Sequence, residues 1–518
     1  DERRRTHDMN TANWVPDLFM QRVRAREGWT LFSPSDTPDL HDLYGKAFER
    51  RYKEYEALHA ADELPGKRVE AFDLWRDMIS MLYETGHPWI TFKDPCNVRS
   101  PQRHDGVVHS SNLCTEITLN TKSGKKRDPK TGKMEETNDG EIAVCNLGSV
   151  NLARHLKDDG TLDAELLRKS VRTAMRMLDN VIDINYYAVG KARASNEKHR
   201  PVGLGQVGYQ DCLHRMGVAF DSEEAVEFAD AATEMVCYYA YEASSDLAAE
   251  RGRYQSYEGS LWSQGIMPLD SLRLLAEERL ADGGKIEEKD GWLRSPDLEV
   301  NVESRLDWDA LRKKIAEQGM RNSNCVAIAP TATIGNIMGA SPCIEPDYKI
   351  LFVKSNLSGE FTIVNKFFMD DMIEAGLWNG QMLSQVKAAD GEIDEIEGIP
   401  AEIRARYKTC FQLDQRWLIE AASRRQKWID QSQSLNLFMR GLRGGEISDV
   451  YFHAWRRGLK TTYYCRTQAA SKTEKYTTEG TGENNKVAVA AKEHADEDKS
   501  KAAAQCAIDN PDDCEACQ

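Results

Sequence analysis

The sequence predicts an α/β fold, because segments with helical periodicity alternate with short apolar runs along the 518-residue chain. Apolar side chains recur at spacings of three and four over residues 68–86, 164–184, 222–252 and 416–431. Two short apolar runs, residues 141–147 and 325–330, are typical of buried strands. Long helices interrupted by such strands indicate one large α/β domain rather than a small module.

The first long helix shows the pattern on which these assignments depend. In residues 68–86, one face carries Phe72, Trp75, Ile79 and Leu82, and a glycine then ends the helix. The other three helical segments have the same periodicity. We therefore expect four helices whose apolar faces pack against the buried strands.

Composition excludes several classes of function. The net charge of −16 and the pI of about 5.3 argue against general binding of nucleic acid or of a membrane surface. No apolar run approaches the ~18 residues that a membrane helix needs, and the N-terminus does not resemble a signal peptide. Twelve scattered cysteines therefore predict a cytoplasmic, mostly reduced protein in which a working cysteine pair is catalytic rather than structural.

Residues 110–121, SSNLCTEITLNT, carry Asn112, Cys114 and Glu116 at every second position. In an extended segment these side chains would share one face at intervals of roughly 6.6 Å. An isolated cysteine is most often a small buried hydrophobe. Here Glu116 is suited to act as a general base and Asn112 to hold a polar group of a substrate, so the pattern favours a catalytic thiol.

Two further motifs have both a structural and a functional interpretation. Cys145, in GEIAVCNLGSVNL, is structural unless it lies beside another working cysteine. Tyr463 and Tyr464 are adjacent in LKTTYYC, residues 459–465, which has the composition of a strand. The two phenols are suited to ordinary packing, or to carrying an electron and a proton between distant sites.

Glycine-rich and threonine-rich segments raise the question of phosphate binding. Thr331, Ala332, Thr333 and Ile334 follow the predicted strand 325–330 at a helix start, where backbone N–H groups can bind a phosphate or the threonines can simply cap the helix. GLGQVG, residues 203–208, matches G-x-G-x-x-G, but no strand is predicted before it and no acidic ribose ligand is clearly placed. We expect those glycines to pack a helix start closely and not to bind a dinucleotide.

The composition changes after residue 465. Residues 466–518 are polar and almost without large apolar side chains, so we expect a disordered C-terminal tail after a domain that spans residues 1–465. The tail ends in CEACQ, where Cys514 and Cys517 have the C-x-x-C spacing of a redox dithiol. A flexible coil of this length spans roughly 40 Å, which lets the dithiol visit a buried site. The alternative is a zinc site on Cys506, Cys514, Cys517 and His494.

Taken together, SSNLCTEI, GEIAVCNLGSVNL, APTATIGNIMG, TTYYC and the terminal CEAC resemble the large, catalytic subunit of class I ribonucleotide reductase. Residues 31–56 resemble that family as well. The resemblance implies a ten-stranded α/β barrel with Cys114 on a finger-like loop at its centre. It also implies a nucleotide-binding, allosterically regulated oxidoreductase that converts ribonucleoside diphosphates to deoxyribonucleoside diphosphates for DNA replication.

The resemblance assigns a role to each motif. The residue matching Cys114 becomes a thiyl radical that removes the 3′ hydrogen, Glu116 takes the 3′-hydroxyl proton, and Asn112 holds the substrate. Tyr463 and Tyr464 match a stacked pair that relays the radical from a metal-containing small subunit.

The remaining motifs match the residues that bind the substrate phosphate and those that form and re-reduce the active-site dithiol. Cys145 matches one half of the active-site dithiol, and Cys514 and Cys517 match the pair that re-reduces it before thioredoxin or glutaredoxin acts. Residues 331–334 fall where the family holds substrate phosphate. The implied partners are the substrate, the small subunit, the external reductant and a second large subunit, and no cofactor or metal is expected in this chain.

The sequence departs from the family pattern at its beginning. The chain starts at Asp1, and the second cysteine of the active-site dithiol, the first barrel strands, most of the nucleotide-sensing region and an ATP-binding regulatory domain lie upstream in the family. Cys96 and Cys325 do not match the missing cysteine. A barrel without several strands leaves unpaired edges, so we expect this chain alone to be neither stably folded nor active. A truncation, a split gene and an intein product all fit this expectation.

Two other functions remain as alternatives. An adenosylcobalamin-dependent reductase shares the Cys114 loop, but it forms its radical in place and does not need the Tyr463–Tyr464 relay. A non-catalytic chain that scaffolds a complementary N-terminal chain has little need to keep Asn112, Cys114, Glu116 and the tyrosines together.

Overall fold

A computed structural model describes residues 9–127, 134–137, 139–280, 284–356, 359–441 and 443–468. In these ranges, no helix combines the length and the apolar character needed to cross a membrane. The predicted tail dithiol, Cys514 and Cys517, and the zinc alternative with Cys506 and His494 lie outside the described residues. Most of the predicted tail, residues 469–518, lies outside them as well.

Helices and short strands alternate along the chain, as the sequence predicts. The helices are α1 (Asp17–Ala25), α2 (Gly45–Ala60), α3 (Ala71–Thr85), α4 (Lys93–Val98), α5 (Ala164–Ile184), α6 (Gly190–His199), α7 (Tyr209–Met216), α8 (Glu223–Arg251), α9 (Ser271–Arg279), α10 (Trp308–Gln318), α11 (Ala332–Met338), α12 (Lys366–Glu374), α13 (Gly380–Ala388), α14 (Ala401–Arg406), α15 (Gln415–Gln426) and α16 (Gly444–Arg456). The strands are β1 (Ala12–Val15), β2 (Gly28–Leu31), β3 (Lys67–Glu70), β4 (Trp89–Phe92), β5 (Lys125–Arg127), β6 (Met134–Glu136), β7 (Asn146–Asn151), β8 (Val202–Val207), β9 (Glu287–Lys289), β10 (Trp292–Ser295), β11 (Leu298–Asn301), β12 (Leu351–Asn356), β13 (Gly359–Val364), β14 (Leu437–Arg440) and β15 (Cys465–Gln468).

The predicted helices are confirmed, with small changes at their ends. The segments 164–184 and 222–252 become α5 and α8, and each begins at a capping side chain: Asp163 accepts from Leu166 N, and Ser222 accepts from Ala225 N. The segment 68–86 becomes α3, which starts three residues later because residues 67–70 pair with β2. Gly86 ends α3 in the left-handed conformation, as a C-terminal glycine does.

The strand predictions are only partly correct. In place of a strand over residues 141–147, β7 begins at Asn146, and in place of one over residues 459–465, β15 begins at Cys465. Residues 325–330 form only single bridges, Leu204 to Val326 and Ile328 to Gln433. Several backbone N–H groups of these segments bond to partners outside a regular ladder, as Cys325 N and Val326 N do to the Asp430 carboxylate.

A closed ten-stranded barrel does not occur in the described part of the chain. Its strands pair as one three-stranded sheet and six two-stranded sheets, of which β7–β8, β1–β4 and β14–β15 are parallel. Single β-bridges pair Leu204 of β8 with Val326, and Ile328 with Gln433, so these three segments lie side by side in that order. Asp430 explains the interruption, because its carboxylate accepts from the N–H groups of Cys325 (2.6 Å) and Val326 (2.9 Å), which a regular ladder would use.

The GLGQVG segment is a strand and not the predicted helix start. All six residues of β8 are buried, and α7 begins only after Gly208. A β-carbon on Gly203 would lie 3.2 Å from Cys145 Sγ, and one on Gly205 would lie 2.7 Å from the Ala327 carbonyl oxygen. The glycines therefore let neighbouring backbones approach, and they leave no room for a dinucleotide pyrophosphate.

Replacing Gly205 by alanine is expected to lower the free energy of unfolding by about 1–3 kcal/mol, because the new methyl group meets backbone atoms that cannot rotate away. Chemical denaturation monitored by circular dichroism measures this change. Gly190→Ala is the matched control, since a β-carbon at Gly190 meets nothing within 4 Å. Equal stability of the two variants would contradict this account of the strand packing.

One large core joins most of these elements. It contains apolar side chains from α1, α3, α5, α8, α15, α16 and the parallel strands, with Trp75, Trp262, Trp428 and Trp455 among the most buried. A second core gathers around α12, α13 and α14, and a third around α9, β10 and β11. The large core therefore holds the strands and extended segments that carry the predicted site residues.

Candidate active site

Residues 112–116 form a tight turn, which corrects the predicted extended segment. Thr115 N donates to the Asn112 carbonyl oxygen over 3.2 Å, and Thr115 has a φ of 66°, in the left-handed region. The turn brings Asn112 Nδ2 to within 2.8 Å of Glu116 Oε1, whereas four extended residues would separate them by roughly 13 Å. The amide, the thiol and the carboxyl therefore meet around one turn.

Glu116 is a buried carboxyl held by two side chains. It is 1% exposed, it accepts from Asn112 Nδ2, and its Oε2 lies 3.1 Å from Ser434 Oγ. Burial raises its pKa above the ordinary value, although the hydrogen bonds from Asn112 and Ser434 oppose that shift. A carboxylate with a raised pKa is suited to take a proton from a substrate hydroxyl.

Cys114 is half-buried and stays a neutral thiol. Burial is the main cause that raises its pKa, and the nearby Glu116 carboxylate raises it further, while the hydroxyl of Tyr463 opposes the shift. The Tyr463 hydroxyl lies 3.6 Å from Cys114 Sγ, within hydrogen-bond distance for sulfur. Transfer of a hydrogen atom between the phenol and the thiol requires this kind of direct contact.

Tyr463 and Tyr464 form a contacting pair that leads away from the thiol. Their ring centroids are 4.5 Å apart with planes tilted by 55°. Tyr463 is 8% exposed, and the Tyr464 hydroxyl lies further out, where it donates to Asn10 Oδ1 over 3.2 Å. Thus the described structure contains a continuous path from a partly exposed phenol through a buried phenol to Cys114.

Cys145 lies just before β7 and is linked to the same site. Its sulfur is 3.6 Å from Gln431 Nε2, and Gln431 Oε1 accepts from Thr118 N over 3.3 Å. Burial raises the pKa of the Cys145 thiol to about 12. Gln431 therefore joins Cys145 to the segment that follows Glu116, and all nine cysteines in the described ranges are free thiols.

Of the four residues predicted to bind phosphate, one is buried and has a structural role, and three are exposed. Thr331 is buried, and its hydroxyl oxygen accepts from Cys343 N over 2.6 Å, so it fastens the start of α11 to the chain. Ala332, Thr333 and Ile334 are exposed at that start. Only these three residues are accessible to a ligand, and Cys343 Sγ lies 3.9 Å from the Ser434 carbonyl oxygen, which connects the segment to Glu116.

Sequence reasoning missed the segment that supports the site. Asp430, Gln431, Ser432, Gln433 and Ser434 are each at most 1% exposed, although all five are polar. Four of the five side chains bond to neighbouring backbone, as Ser434 Oγ does to the Cys114 carbonyl oxygen over 2.6 Å, and Ser432 Oγ bonds to the side chains of Gln426 and Thr461. The predicted helical segment 416–431 ends earlier than expected, since α15 stops at Gln426, and the five consecutive polar residues 430–434 beyond it are the signal that could have identified a buried functional segment.

Two buried ionisable groups, Asp430 and Lys460, are linked at this supporting segment. Burial raises the pKa of the Asp430 carboxyl to about 6 and lowers that of the Lys460 amine to about 7. Lys460 Nζ donates to the Asp430 carbonyl oxygen over 2.6 Å. Lys460 stands three residues before Tyr463, so the segments carrying the relay and the supporting side chains are tied together.

A cluster of possible metal ligands lies outside this site. Asp105, Glu141 and His199 place ligand atoms within 4.8 Å of one another. Lys198 Nζ lies 2.7 Å from both carboxylates, and Lys122 forms an ion pair with Asp105. The two ammonium groups already compensate the acidic charge, so we interpret the cluster as an ion-pair network.

Comparison with known proteins shows the family to which this chain belongs. The family model described as "Ribonucleotide reductase, barrel domain" matches residues 1–465. The ribonucleoside-diphosphate reductase subunit alpha of Chlamydia muridarum is 50% identical over 476 residues, which are 92% of this chain and 42% of that protein. The large chain of the Schizosaccharomyces pombe enzyme is 37% identical over an alignment of 535 residues that covers 99% of this chain and 60% of that protein.

The large subunit of the Arabidopsis thaliana ribonucleoside-diphosphate reductase is 35% identical over 540 residues, covering 100% of this chain and 60% of the relative. This chain therefore spans about two-fifths to three-fifths of the length of the curated relatives it matches. None of these relatives carries a name that points to adenosylcobalamin.

Proposed function

Since this chain belongs to the ribonucleotide reductase barrel-domain family, we propose that it carries the catalytic centre of a class I ribonucleoside-diphosphate reductase. The observation that carries the proposal is the 3.6 Å contact between the Tyr463 hydroxyl and Cys114 Sγ, with Glu116 and Asn112 on the same turn. Its substrate is a ribonucleoside diphosphate, and its product is the corresponding deoxyribonucleoside diphosphate.

Cys114 starts the reaction by donating a hydrogen atom, and as a thiyl radical it then accepts one from the substrate. A radical on Tyr463 takes the hydrogen atom of the Cys114 thiol, so the phenol is restored and a thiyl radical forms. The thiyl radical removes the 3′ hydrogen of the substrate and becomes a thiol again. Glu116 accepts the 3′-hydroxyl proton and Asn112 hydrogen-bonds the substrate, which fits their contact around the turn.

The tyrosine pair carries the radical inward. A small subunit that holds a metal-generated radical oxidises Tyr464, which then takes a hydrogen atom from Tyr463. The 4.5 Å separation of the two rings supports direct exchange between them. The partly exposed position of Tyr464 and its bond to Asn10 suit the end that faces the small subunit.

The electrons for reduction come from cysteine pairs. We propose that Cys145 forms a disulfide with a second cysteine during turnover, and that Cys514 and Cys517 reduce it before thioredoxin or glutaredoxin acts. The raised pKa of Cys145 keeps it a neutral thiol until it reacts. The exposed backbone at Ala332, Thr333 and Ile334 is the proposed contact for substrate phosphate.

A stripe of exposed apolar side chains on α5 and β7 supports the proposal that this chain needs a further protein segment. Met177, Val181 and Ile184 recur at helical spacing on α5 and are 63%, 37% and 82% exposed, and Leu147 on the neighbouring β7 is 43% exposed. Apolar stripes of this kind mark interaction surfaces. We propose that the part of the relatives that this chain does not span, which we call the complementary segment, covers the stripe and that two large subunits then associate.

Ile184→Glu is expected to weaken binding of the complementary segment at least about tenfold, because a carboxylate would be buried without a partner. Titration calorimetry with the purified chain and the segment measures the affinity. Ile373→Glu on α12 is the control, since Ile373 is also exposed, at 54%, but lies far along the chain from the stripe. Equal affinity of both variants would contradict this placement of the segment.

Replacing Glu116 by glutamine is expected to lower kcat by about 10²–10⁴-fold, the usual contribution of a positioned general base. The assay is deoxyribonucleotide formation in a reconstituted mixture of this chain, the complementary segment, a radical-bearing small subunit, a dithiol reductant and a ribonucleoside diphosphate. Asn112 can still bond to the glutamine oxygen, so the turn is retained.

The pH dependence supplies a second readout for Glu116. The base must be ionised, so activity falls as the pH drops through its pKa. Because burial raises that pKa, this fall begins at a higher pH than for an ordinary glutamate. In Glu116→Gln this fall in activity at low pH should be absent. If the activity of the variant still falls at the same pH as that of the unchanged chain, another group is the base.

A further inference from the structure

Trp89 stands beside the tyrosine pair because β4 is bonded to the segment that carries it. Trp89 is the first residue of β4, whose four residues are all buried. Its N–H donates to the Thr11 carbonyl oxygen over 2.9 Å, and the next residue, Ile90, accepts from Thr462 N over 3.0 Å. The strand thus holds the backbone of Trp89 next to Ile90, which is hydrogen-bonded directly to the segment that carries the tyrosines.

The indole of Trp89 contacts both tyrosines. Its ring centroid is 5.0 Å from that of Tyr463, with a 53° angle between planes, and 5.4 Å from that of Tyr464, at 84°. With the 4.5 Å separation of the two phenols, the three rings form a closed triangle. The contact with Tyr464 is edge-to-face and the contact with Tyr463 is tilted, so the packed indole resists movement of either phenol.

The indole is nevertheless badly placed to hold the radical itself. Trp89 is 3% exposed, and its Nε1 has neither solvent access nor a hydrogen-bond acceptor among the described residues. Oxidation would leave a radical cation whose N–H proton has no group to receive it, and a buried unpaired charge is costly. Tyr463, by contrast, exchanges a whole hydrogen atom with Cys114 and creates no charge.

From these contacts we propose that Trp89 is a positioning residue that locks the two tyrosines together and is not itself oxidised. This inference rests on the proposed radical relay and adds a residue to it. The indole acts through its shape, so another aromatic ring replaces it, whereas an aliphatic side chain of smaller width does not. The radical therefore stays on Tyr464, Tyr463 and Cys114.

Turnover in the reconstituted mixture distinguishes a Trp89 indole that positions the tyrosines from one that carries the radical. Trp89→Phe is expected to keep kcat within about threefold of the unchanged chain, and Trp89→Leu to lower it at least tenfold with an unchanged KM for the ribonucleoside diphosphate. Trp262→Leu is the control, because Trp262 is equally buried and contacts Tyr241 instead of the tyrosine pair. It is expected to lose stability as Trp89→Leu does, while keeping its kcat.

Three results would overturn the proposal. A loss in Trp89→Phe as large as in Trp89→Leu would show that the indole carries the radical. An unchanged kcat in Trp89→Leu would show that the indole does not hold the relay. An equal loss of kcat in Trp262→Leu would show a general effect of stability. Absence of turnover in the unchanged chain would instead defeat the proposed reductase function.

Amide hydrogen exchange tests the positioning without any turnover. Tyr463 N donates to the Leu435 carbonyl oxygen over 2.7 Å, and Tyr464 N to Asn436 Oδ1 over 3.1 Å. In the complex of the chain with the complementary segment, without small subunit or substrate, Trp89→Leu should speed exchange at these two amides, whereas Trp89→Phe and Trp262→Leu should not. Equal exchange in all three variants would overturn the positioning role even if the reductase function holds.

Discussion

Cys114→Ser is expected to abolish turnover in the reconstituted mixture, with a loss in kcat on the order of 10³-fold or more. The serine hydroxyl has nearly the size of the thiol and should leave the turn between Asn112 and Glu116 intact. Its O–H bond is much stronger than an S–H bond, so a tyrosyl radical cannot take its hydrogen atom. Deoxyribonucleotide formed per minute is the measurement.

The control for this experiment is another cysteine. Cys212 is fully buried in α7 and contributes nothing to the site, so Cys212→Ser should lose some stability but keep its activity. Binding of the ribonucleoside diphosphate should also remain in Cys114→Ser, because Asn112, the residue proposed to hold the substrate, keeps its contact with Glu116. Turnover by Cys114→Ser at a tenth of the normal rate would contradict the radical chemistry.

Tyr463→Phe should have a similarly large effect, again on the order of 10³-fold or more in kcat. The substitution removes only the hydroxyl group that lies 3.6 Å from Cys114 Sγ and keeps the ring contacts with Tyr464. A phenyl ring has no O–H bond to break, so the radical stops at Tyr464. The rate of deoxyribonucleotide formation and the decay of the small-subunit radical after mixing both measure this.

Tyr257→Phe is the matched comparison. Tyr257 is 3% exposed and donates its hydroxyl to the Ile315 carbonyl oxygen, far from the relay. Loss of that hydrogen bond should cost about 1 kcal/mol of stability and leave kcat unchanged. Activity in Tyr463→Phe equal to that in Tyr257→Phe would mean that the radical reaches Cys114 by another route.

The helices could be predicted because their signals are local. In α5 and α8, capping side chains and apolar spacing determine both ends within about one turn, and no distant residue is needed. The strands could not be predicted to the same accuracy. Asp430 takes N–H groups of Cys325 and Val326 that the sequence assigns to a ladder, although it stands more than a hundred residues away.

The candidate residues of the site could be named from the sequence, but their geometry could not. The spacing of Asn112, Cys114 and Glu116 indicates shared chemistry, but the turn depends on a left-handed Thr115, a conformation that non-glycine residues seldom adopt. Trp89 gives no local signal, since a tryptophan at the start of a buried strand is ordinary core. Only its tertiary contact with Tyr463 and Tyr464 supports the positioning role that we propose.

The most direct measurement of the central claim is deoxyribonucleotide formation by the unchanged chain and by Cys114→Ser, each in the reconstituted mixture and each without the complementary segment. We predict product only from the unchanged chain and only when the segment is present. Product from Cys114→Ser would contradict the thiyl mechanism. No product from a folded chain that binds both the segment and the small subunit would contradict the assignment of the catalytic centre to Cys114.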